Sequence, residues 1–253
     1  MAVVIRQAKI KKAAKLEELA YLEKLNTPKQ YMNFNVETYK NFLFKTHNIV
    51  YDYEKEKIAA FKSDKISYYV LHKYNTEIFD ILCEYFTGSE AFEWRGEDFS
   101  LNKGVLIFGG IGCGKTSLMK IFSINSYKPF CINPCRGIAA EYTKTGEDCI
   151  NKYASLQPGY PQQNFGIANL DRCLDDIGTE DNKAHFANKA NVIQSILFKV
   201  VDDEIIGHVH GTTNLSDEDF MLFYGERIHS RINEIFNIIE FDPESPDRRK
   251  VKC

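Results

Sequence analysis

The sequence predicts an α/β fold in which a parallel β-sheet carries helices on both faces and follows a mostly helical N-terminal extension. Three observations predict this. Beyond residue 103, short apolar segments with strand character alternate with helical stretches, a pattern typical of parallel sheets. A glycine-rich turn joins the first of these strands to a helix. The composition, 44% hydrophobic and 26% charged, supplies enough apolar residues for a buried core.

The elements can be placed in chain order from these patterns. We assign residues 1–98 to the extension and residues 99–253 to the α/β core. The extension contains a helix-like stretch over 16–26 and a predicted long helix near 68–86. The predicted strands of the core cover 105–108, 129–133, 170–175, 206–212 and 236–241. The predicted helices begin after Lys115 and cover about 137–153 and 190–202.

Composition also argues against several classes of protein. The seven cysteines lack paired CxxC spacing, so neither a disulfide framework nor a zinc site is predicted. No apolar run approaches the roughly 20 residues that cross a bilayer, and the charged N-terminus is unlike a signal peptide. We therefore expect a cytoplasmic protein. Its net charge of −3 means that any DNA contact needs a local basic patch, such as Lys9–Lys15 or Lys183 and Lys189.

The glycine-rich turn matches the phosphate-binding pattern GxxxxGK[ST] between a strand and a helix. Its glycines let successive backbone N–H groups point inward, and the following helix adds its positive N-terminal end. Lys115 is expected to reach the β- and γ-phosphates, and the Thr116 hydroxyl to bind Mg²⁺. The residues predicted to contact ATP here are Gly109, Gly110, Ile111, Gly112, Cys113, Gly114, Lys115, Thr116 and Ser117.

An acidic pair follows the predicted strand at 170–175. A P-loop ATPase needs one carboxylate for the hydrated magnesium and a group that activates or orients the attacking water. We assign Asp175 to the metal and Asp176 to the water. Asp171 and Arg172 interrupt the apolar run before this pair, and Asp171 is the alternative metal ligand.

The same stretch also matches the DxxG element of GTPases, from Asp175 to Gly178. A GTPase needs in addition an NKxD element whose carboxylate pairs with guanine. The nearest match, at 188–191, ends in the amide Asn191. The sequence therefore favours ATP over GTP.

Two further segments follow in a characteristic order. The first is Gly-Thr-Thr-Asn-Leu-Ser over 211–216, and the second is Tyr-Gly-Glu-Arg-Ile-His-Ser-Arg-Ile over 224–232. Together with the P-loop and Leu174–Gly178, they resemble the DnaC/IstB branch of the AAA+ ATPases, which includes bacterial and phage helicase loaders and transposition helpers. The resemblance covers about residues 100–250. It implies an AAA+-type P-loop NTPase core with ATP and Mg²⁺ as cofactors.

The resemblance implies roles for further polar residues. Asn214 would be sensor 1, which orients water or the γ-phosphate. Arg231 would be the arginine finger that reaches a neighbouring subunit's nucleotide, with Arg227 as the alternative. Arg248 roughly matches sensor 2. We also expect the helical lid of larger AAA+ proteins to be minimal or absent.

These features predict an ATP-hydrolysing homo-oligomer that acts in DNA replication as a loader or remodeller of a replicative helicase and binds single-stranded DNA. The N-terminal extension would carry the partner contact. An IstB-like helper of a transposase is the main alternative. A P-loop kinase and a protein that holds ATP without hydrolysing it are also compatible with the P-loop alone.

Overall fold

The computed structural model describes residues 35–158, 169–180, 183–185 and 188–250. The chain divides into two compact units, residues 1–32 and 33–253, and every described residue belongs to the second. The predicted helix at 16–26 and the basic patch Lys9–Lys15 lie outside the described residues. Within the described ranges, no helix is long and apolar enough to cross a membrane.

The described part of the N-terminal extension is mostly helical, as predicted. Its two short strands pair in parallel and form a small sheet of their own. Asn35 caps the first helix, because its side chain accepts a hydrogen bond from the Glu37 N–H at 2.8 Å. In chain order the elements are α1 (Val36–Thr46), β1 (Ile49–Tyr51), α2 (Lys55–Ser63), β2 (Tyr69–Leu71), α3 (Thr76–Tyr85) and a 3₁₀ helix (Glu90–Arg95).

The predicted long helix near 68–86 is wrong in its first half. Residues of β2 are extended and pair with β1, and the helix begins only at Thr76. Asn75 stops the chain from continuing as a strand, since its Oδ1 accepts from the His72 N–H at 2.8 Å and its Nδ2 donates to the Val70 carbonyl at 3.1 Å. These bonds form a turn that competes with helical hydrogen bonding.

The described part of the extension packs directly on the α/β core. Helix α3 buries Phe79 and Leu82, which lie with its C-cap residue Phe86 in the same apolar cluster as Phe122 and Phe130. The Tyr85 hydroxyl donates to the Lys103 carbonyl at 2.7 Å. Residues 36–86 and the sheet therefore share one hydrophobic core.

The remaining elements follow the predicted alternation of strand and helix. Two short antiparallel strands, 183–185 and 188–190, contain Lys183 and Lys189, the candidate DNA-contacting residues. In chain order the elements are β3 (Gly104–Phe108), α4 (Lys115–Phe122), β4 (Phe130–Pro134), α5 (Cys135–Thr145), α6 (Glu147–Tyr153), β5 (Gln157–Pro158), β6 (Asn169–Ile177), β7 (Lys183–His185), β8 (Asn188–Ala190), α7 (Val192–Asp202), a 3₁₀ helix (Ile206–His208), β9 (Val209–Thr213), α8 (Asp217–Tyr224), α9 (Glu226–Ile235) and β10 (Phe236–Glu240).

In the described part of the chain, the central sheet has six strands: five run parallel in the order β10-β3-β9-β6-β4, and β5 pairs antiparallel with β6. Successive residues of β3 face opposite sides, so Val105 and Ile107 join one buried cluster and Leu106 and Phe108 join the other. Helices pack on both faces. The predicted fold class, an α/β parallel sheet covered on both sides, is confirmed.

Two boundaries differ from those predicted. The helix predicted over 137–153 is two helices, because Gly146 takes a positive φ of 56° between α5 and α6. The strand predicted from 206 begins only at Val209, since residues 206–208 form a 3₁₀ turn. Neither difference changes the order of the sheet.

Candidate active site

The candidate site lies where three neighbouring strands of the sheet end. The P-loop follows β3, the acidic pair closes β6, and Asn214 follows β9. Strand β9 lies between β3 and β6 and runs parallel to both, so all three carboxyl ends meet at the same edge. Clefts at this edge of open parallel sheets are common ligand sites.

The P-loop needs glycine at two positions in particular. Gly112 and Gly114 have φ angles of 79° and 110°, which other residues rarely adopt. Ile111 is 65% exposed, whereas Cys113 is buried with its Sγ 3.8 Å from the Lys115 Nζ. The whole predicted phosphate-binding segment therefore forms one tight turn that leads into α4.

Lys115 is buried under the loop that it follows. Its ammonium donates to the Gly109 and Gly110 carbonyls at 2.7 and 2.9 Å, and to the Asn214 Oδ1 at 2.7 Å. Burial lowers the pKa of Lys115, although Cys113 and the acidic pair oppose the shift. These oxygens compensate for the loss of solvent around the charged group. The ammonium is thus placed at the centre of the site.

Thr116 and Asp175 lie side by side. The Thr116 hydroxyl donates to the Asp175 Oδ1 at 2.8 Å, and the Thr212 hydroxyl donates to the same oxygen at 2.8 Å. Mg²⁺ is commonly bound by one or two protein oxygens together with phosphate and water oxygens. A hydroxyl and a carboxylate in contact fit that preference without any larger cluster of ligands.

Asp176 is held from two sides. Its N–H donates to the Thr212 Oγ1 at 2.9 Å, and its Oδ1 accepts from the Asn214 Nδ2 at 3.0 Å. Its φ of 58° lies in the left-handed region. Asn214 therefore contacts Lys115 through its oxygen and Asp176 through its nitrogen, which joins the P-loop to the acidic pair.

Asp171, the alternative metal ligand, lies elsewhere. It is near the start of β6, where its Oδ1 is 2.7 Å from the His208 Nδ1. Asp171 and Arg172 are both buried inside the strand although both are charged. The Arg172 Nε donates to the Ser155 carbonyl at 2.6 Å, and the Arg172 guanidinium lies 5.0 Å from the centre of the Tyr153 ring.

A cleft of about 470 Å³ opens over these groups. Two features of it were not predicted from the sequence: the edge of the small N-terminal sheet forms one wall, and Arg249 joins Arg248 in lining the cleft. Burial raises the pKa of Tyr69 to about 12, so its phenol stays protonated. The lining residues are Tyr68, Tyr69, Val70, Gly112, Gly114, Lys115, Thr116, Ser117, Asp176, Asn214, Arg248 and Arg249.

The C-terminal segment crosses the P-loop. The Arg248 N–H donates to the Gly112 carbonyl at 3.1 Å. A β-carbon placed on Gly112 would lie 1.8 Å from the Asp247 Oδ1, so the segment packs tightly against the glycine. This contact brings Arg248 to the cleft.

The two candidate arginine fingers lie on α9, outside the lining of the cleft. Arg231 is exposed and forms an ion pair with Glu234, with a distance of 2.7 Å between its Nη1 and the Glu234 Oε2. Arg227 lies over the Phe198 ring at 4.9 Å. Both side chains are exposed, Arg231 in its ion pair and Arg227 against the Phe198 ring.

No protein-family model matches the sequence, and no curated protein matches it. Among solved structures, the AMPPCP-bound DnaA from Aquifex aeolicus is similar at 16% identity and a TM-score of 0.46, over 72% of this chain and 51% of DnaA. A DNA replication initiation factor is similar at 15% identity and a TM-score of 0.45, over 72% and 50% of the two chains. This chain thus spans about half the length of both.

The DnaC helicase loader is similar at 15% identity and a TM-score of 0.36, over 56% of this chain and 79% of DnaC. Similarities this distant leave the function to be inferred from the residues of the cleft.

Proposed function

We propose that this chain is an AAA+-type ATPase that binds Mg-ATP in the P-loop cleft and acts in DNA replication as a helicase loader. One observation carries the ATPase assignment. Hydrogen bonds join Lys115, Asn214 and Asp176 on one side and Thr116 with Asp175 on the other, at the ends of three adjacent strands. A phosphate-binding turn, a magnesium-binding pair and a water-activating carboxylate are the parts that ATP hydrolysis needs.

In this proposal each residue acts on a stated atom. Backbone N–H groups of the P-loop and the Lys115 ammonium hold β- and γ-phosphate oxygens. Thr116 and Asp175 would hold Mg²⁺, which would neutralise charge on the phosphates. The Asp176 carboxylate accepts a proton from the attacking water, whose oxygen bonds to the γ-phosphorus as the bond to the β-phosphate oxygen breaks. Asn214 keeps Asp176 aligned.

The remaining walls of the cleft suit the rest of a nucleotide. Tyr68, Tyr69 and Val70 provide an aromatic and apolar surface for a base, and Arg248 and Arg249 provide positive charge. The placement of Asp176 in the cleft favours hydrolysis over passive ATP binding. The bridge that Asn214 makes between Lys115 and Asp176 has no part in a kinase that transfers phosphate to a small molecule.

The replication role is supported by the order of the sequence motifs. The segments 211–216 and 224–232 resemble those of DnaC-type loaders, and the exposed position of Arg231 suits contact with the nucleotide of a second copy. We therefore propose a homo-oligomer with single-stranded DNA and a replicative helicase as partners. Co-purification with a helicase would support this role, whereas co-purification with a transposase would redirect it to the IstB-like alternative.

Steady-state phosphate release tests the ATPase. The wild-type chain should release inorganic phosphate in a magnesium-dependent reaction, and Lys115→Ala should lower that rate by at least about 100-fold, because a cation is lost from the phosphate site. Lys120→Ala is the matched control, since Lys120 is exposed on the same helix. The thermal unfolding midpoint of both variants should stay near that of the wild type. Equal rates for wild type and Lys115→Ala would refute the assignment of the cleft.

Mixing variants tests whether Arg231 acts on another copy. A Lys115→Ala chain keeps its arginine and a Arg231→Ala chain keeps its phosphate site, so each alone should be inactive. When the two variants are mixed, some interfaces will pair the intact phosphate site of one chain with the intact Arg231 of the other. These interfaces should restore part of the turnover. The oligomeric state of each variant is measured first by light scattering. A mixture that exchanges subunits and stays inactive would rule out a trans role for Arg231, and Arg227 would be tested in the same way.

A further inference from the structure

The turn after the acidic pair contains a buried carboxylate that takes no part in the cleft. Glu180 is 2% exposed. Its Oε2 accepts from the Gly178 N–H at 2.9 Å, and its Oε1 accepts a hydrogen bond from the Tyr224 hydroxyl. A buried carboxylate is retained only where its partners compensate for desolvation. Here those partners belong to two different parts of the site.

On one side, Glu180 belongs to a turn that is fixed to the backbone of Asp176. The Thr179 N–H and hydroxyl both donate to the Asp176 carbonyl, at 3.1 and 2.7 Å. Gly178 has a φ of 92°, and a β-carbon there would lie 2.5 Å from the Leu215 Cδ1. The turn from Gly178 to Glu180 is therefore held between the Asp176 backbone and the side chain of Leu215, the residue that follows Asn214.

On the other side, Glu180 holds the point where α8 passes into α9. Tyr224 ends α8, is 1% exposed, and is followed by Gly225 with a φ of 81°. Its carbonyl accepts from the Gln194 Nε2 at 2.5 Å. Burial, reinforced by the Glu180 carboxylate, raises the pKa of Tyr224, so the phenol keeps the proton that it donates. The hydroxyl thus anchors the start of α9, the helix that carries Arg231.

We infer that Glu180 is a positioning residue that couples the nucleotide cleft of one chain to the helix that presents Arg231 to the next. The inference rests on the proposed ATPase function and on the trans role of Arg231. The bond from Tyr224 to Glu180 keeps the start of α9 fixed to the turn behind Asp176. A change at Asp176 on nucleotide binding is thereby transmitted to α9, and loss of this bond disturbs Arg231 while leaving the cleft of the same chain intact.

Tyr224→Phe tests this, because it removes one hydroxyl and keeps the ring. ATP affinity should stay within about twofold of wild type, whereas turnover should fall about tenfold, within the usual range of coupling between sites. Tyr153→Phe is the matched control: the Tyr153 hydroxyl also donates to a glutamate, the Glu141 Oε2 at 2.9 Å, but lies on α6. Wild-type turnover in Tyr224→Phe, or an equal loss in Tyr153→Phe, would overturn the inference.

Subunit mixing separates a displaced Arg231 from a damaged cleft. Mixed with Lys115→Ala, the Tyr224→Phe chain receives an intact arginine from its neighbour and should recover turnover. Mixed with Arg231→Ala, it must supply the arginine itself and should fail. The opposite pattern, or recovery in both mixtures, would overturn the role of Glu180. An inactive mixture of Lys115→Ala with Arg231→Ala would instead refute the trans role of Arg231, and the inference with it.

A second pair of variants distinguishes the loss of positioning by Glu180 from a general folding defect. Glu180→Ala removes both contacts and should reproduce the turnover loss of Tyr224→Phe. In Glu180→Gln the amide oxygen can still accept from the Gly178 N–H, and the amide N–H can donate to the Tyr224 oxygen with the bond reversed, so this variant should retain most of the turnover. ATP binding, measured on the same preparations, reports whether each variant is folded. Equal turnover in Glu180→Ala and Glu180→Gln would contradict a positioning role.

Discussion

Asp176 combines an uncommon backbone conformation with a central place in the cleft. The left-handed region destabilises a non-glycine residue by roughly 1 kcal/mol or more, and Asp176 has a φ of 58° there. Thr212 and Asn214 fix its N–H and its carboxylate. The conformation turns the chain sharply after Asp175, so that two adjacent carboxylates serve different parts of the cleft. Backbone strain of this kind is common where residues are held for chemistry.

Some of these residues could be predicted from the sequence and others could not. The P-loop and the acidic pair are contiguous motifs, so their local spacing identifies them. Tyr68 and Tyr69 reach the cleft only because β2 packs beside it. Thr212 was not predicted to contact Asp175 because that contact depends on β9 lying next to β6. Spacing along the sequence does not show that β2 lies beside the cleft or that β9 lies beside β6.

The contact between Gly112 and Asp247 gives a test at the residue scale. Gly112→Ala would place a β-carbon 1.8 Å from the Asp247 Oδ1 at a φ of 79°, so the loop and the C-terminal segment must separate. We expect ATP affinity to fall about tenfold or more.

Gly137→Ala is the control, because nothing lies within 4 Å of a β-carbon there, and it should raise helix stability by about 0.5–1 kcal/mol. Isothermal titration and thermal unfolding measure the two effects; unchanged affinity in Gly112→Ala would contradict the packing.

At the scale of elements, β6 shows why local patterns mislead. Asp171 and Arg172 weaken its apolar run, yet it is the longest strand of the sheet in the described part of the chain, from Asn169 to Ile177. Partners contributed by other elements compensate for the buried charges: His208 contacts Asp171, and the Ser155 carbonyl contacts Arg172. The helix predicted near 68–86 failed for the converse reason, since pairing with β1 outweighs local helical character in β2.

His210 on β9 allows a test of how the sheet holds a buried, titratable side chain. It is fully buried, and its Nδ1 accepts from the Val105 N–H at 3.2 Å. Burial lowers its pKa to about 3, against the smaller opposing effect of Asp171. Because the unfolded chain takes up a proton near pH 6.5 and the folded chain does not, this residue's contribution to stability is complete above pH 6.5 and is lost as pH falls toward 3.

The expected loss from His210 is about 1.5 kcal/mol of unfolding free energy between pH 6.5 and pH 5. His210→Asn keeps an acceptor for the Val105 N–H and does not titrate, so its stability should change less over that interval. Urea unfolding of both proteins at the two pH values measures the difference. Identical pH dependence in the two proteins would show that His210 is not held neutral.

At the scale of the whole molecule, the strand order explains how distant segments form one site. The order β10-β3-β9-β6-β4 places the P-loop, Asn214 and the acidic pair on three adjacent strands. The α/β fold class could be predicted because alternating elements and a P-loop constrain the topology. The packing of residues 36–86 on the sheet could not, since it depends on aromatic contacts such as that between Phe86 and Phe130. The surfaces that bind partners could not be predicted either, because no comparable sequence pattern identifies them.

If the cleft hydrolyses ATP as proposed, its two carboxylates have separate roles, which ATP binding and turnover measured together in Asp176→Asn and Asp175→Asn will distinguish. Asp176→Asn should bind Mg-ATP with wild-type affinity and lose turnover by about 100-fold, because an amide cannot accept the proton from water. Asp175→Asn should instead weaken the magnesium dependence of ATP binding. Equal losses of ATP binding in the two variants, or full turnover in Asp176→Asn, would show that the two carboxylates do not have these separate roles.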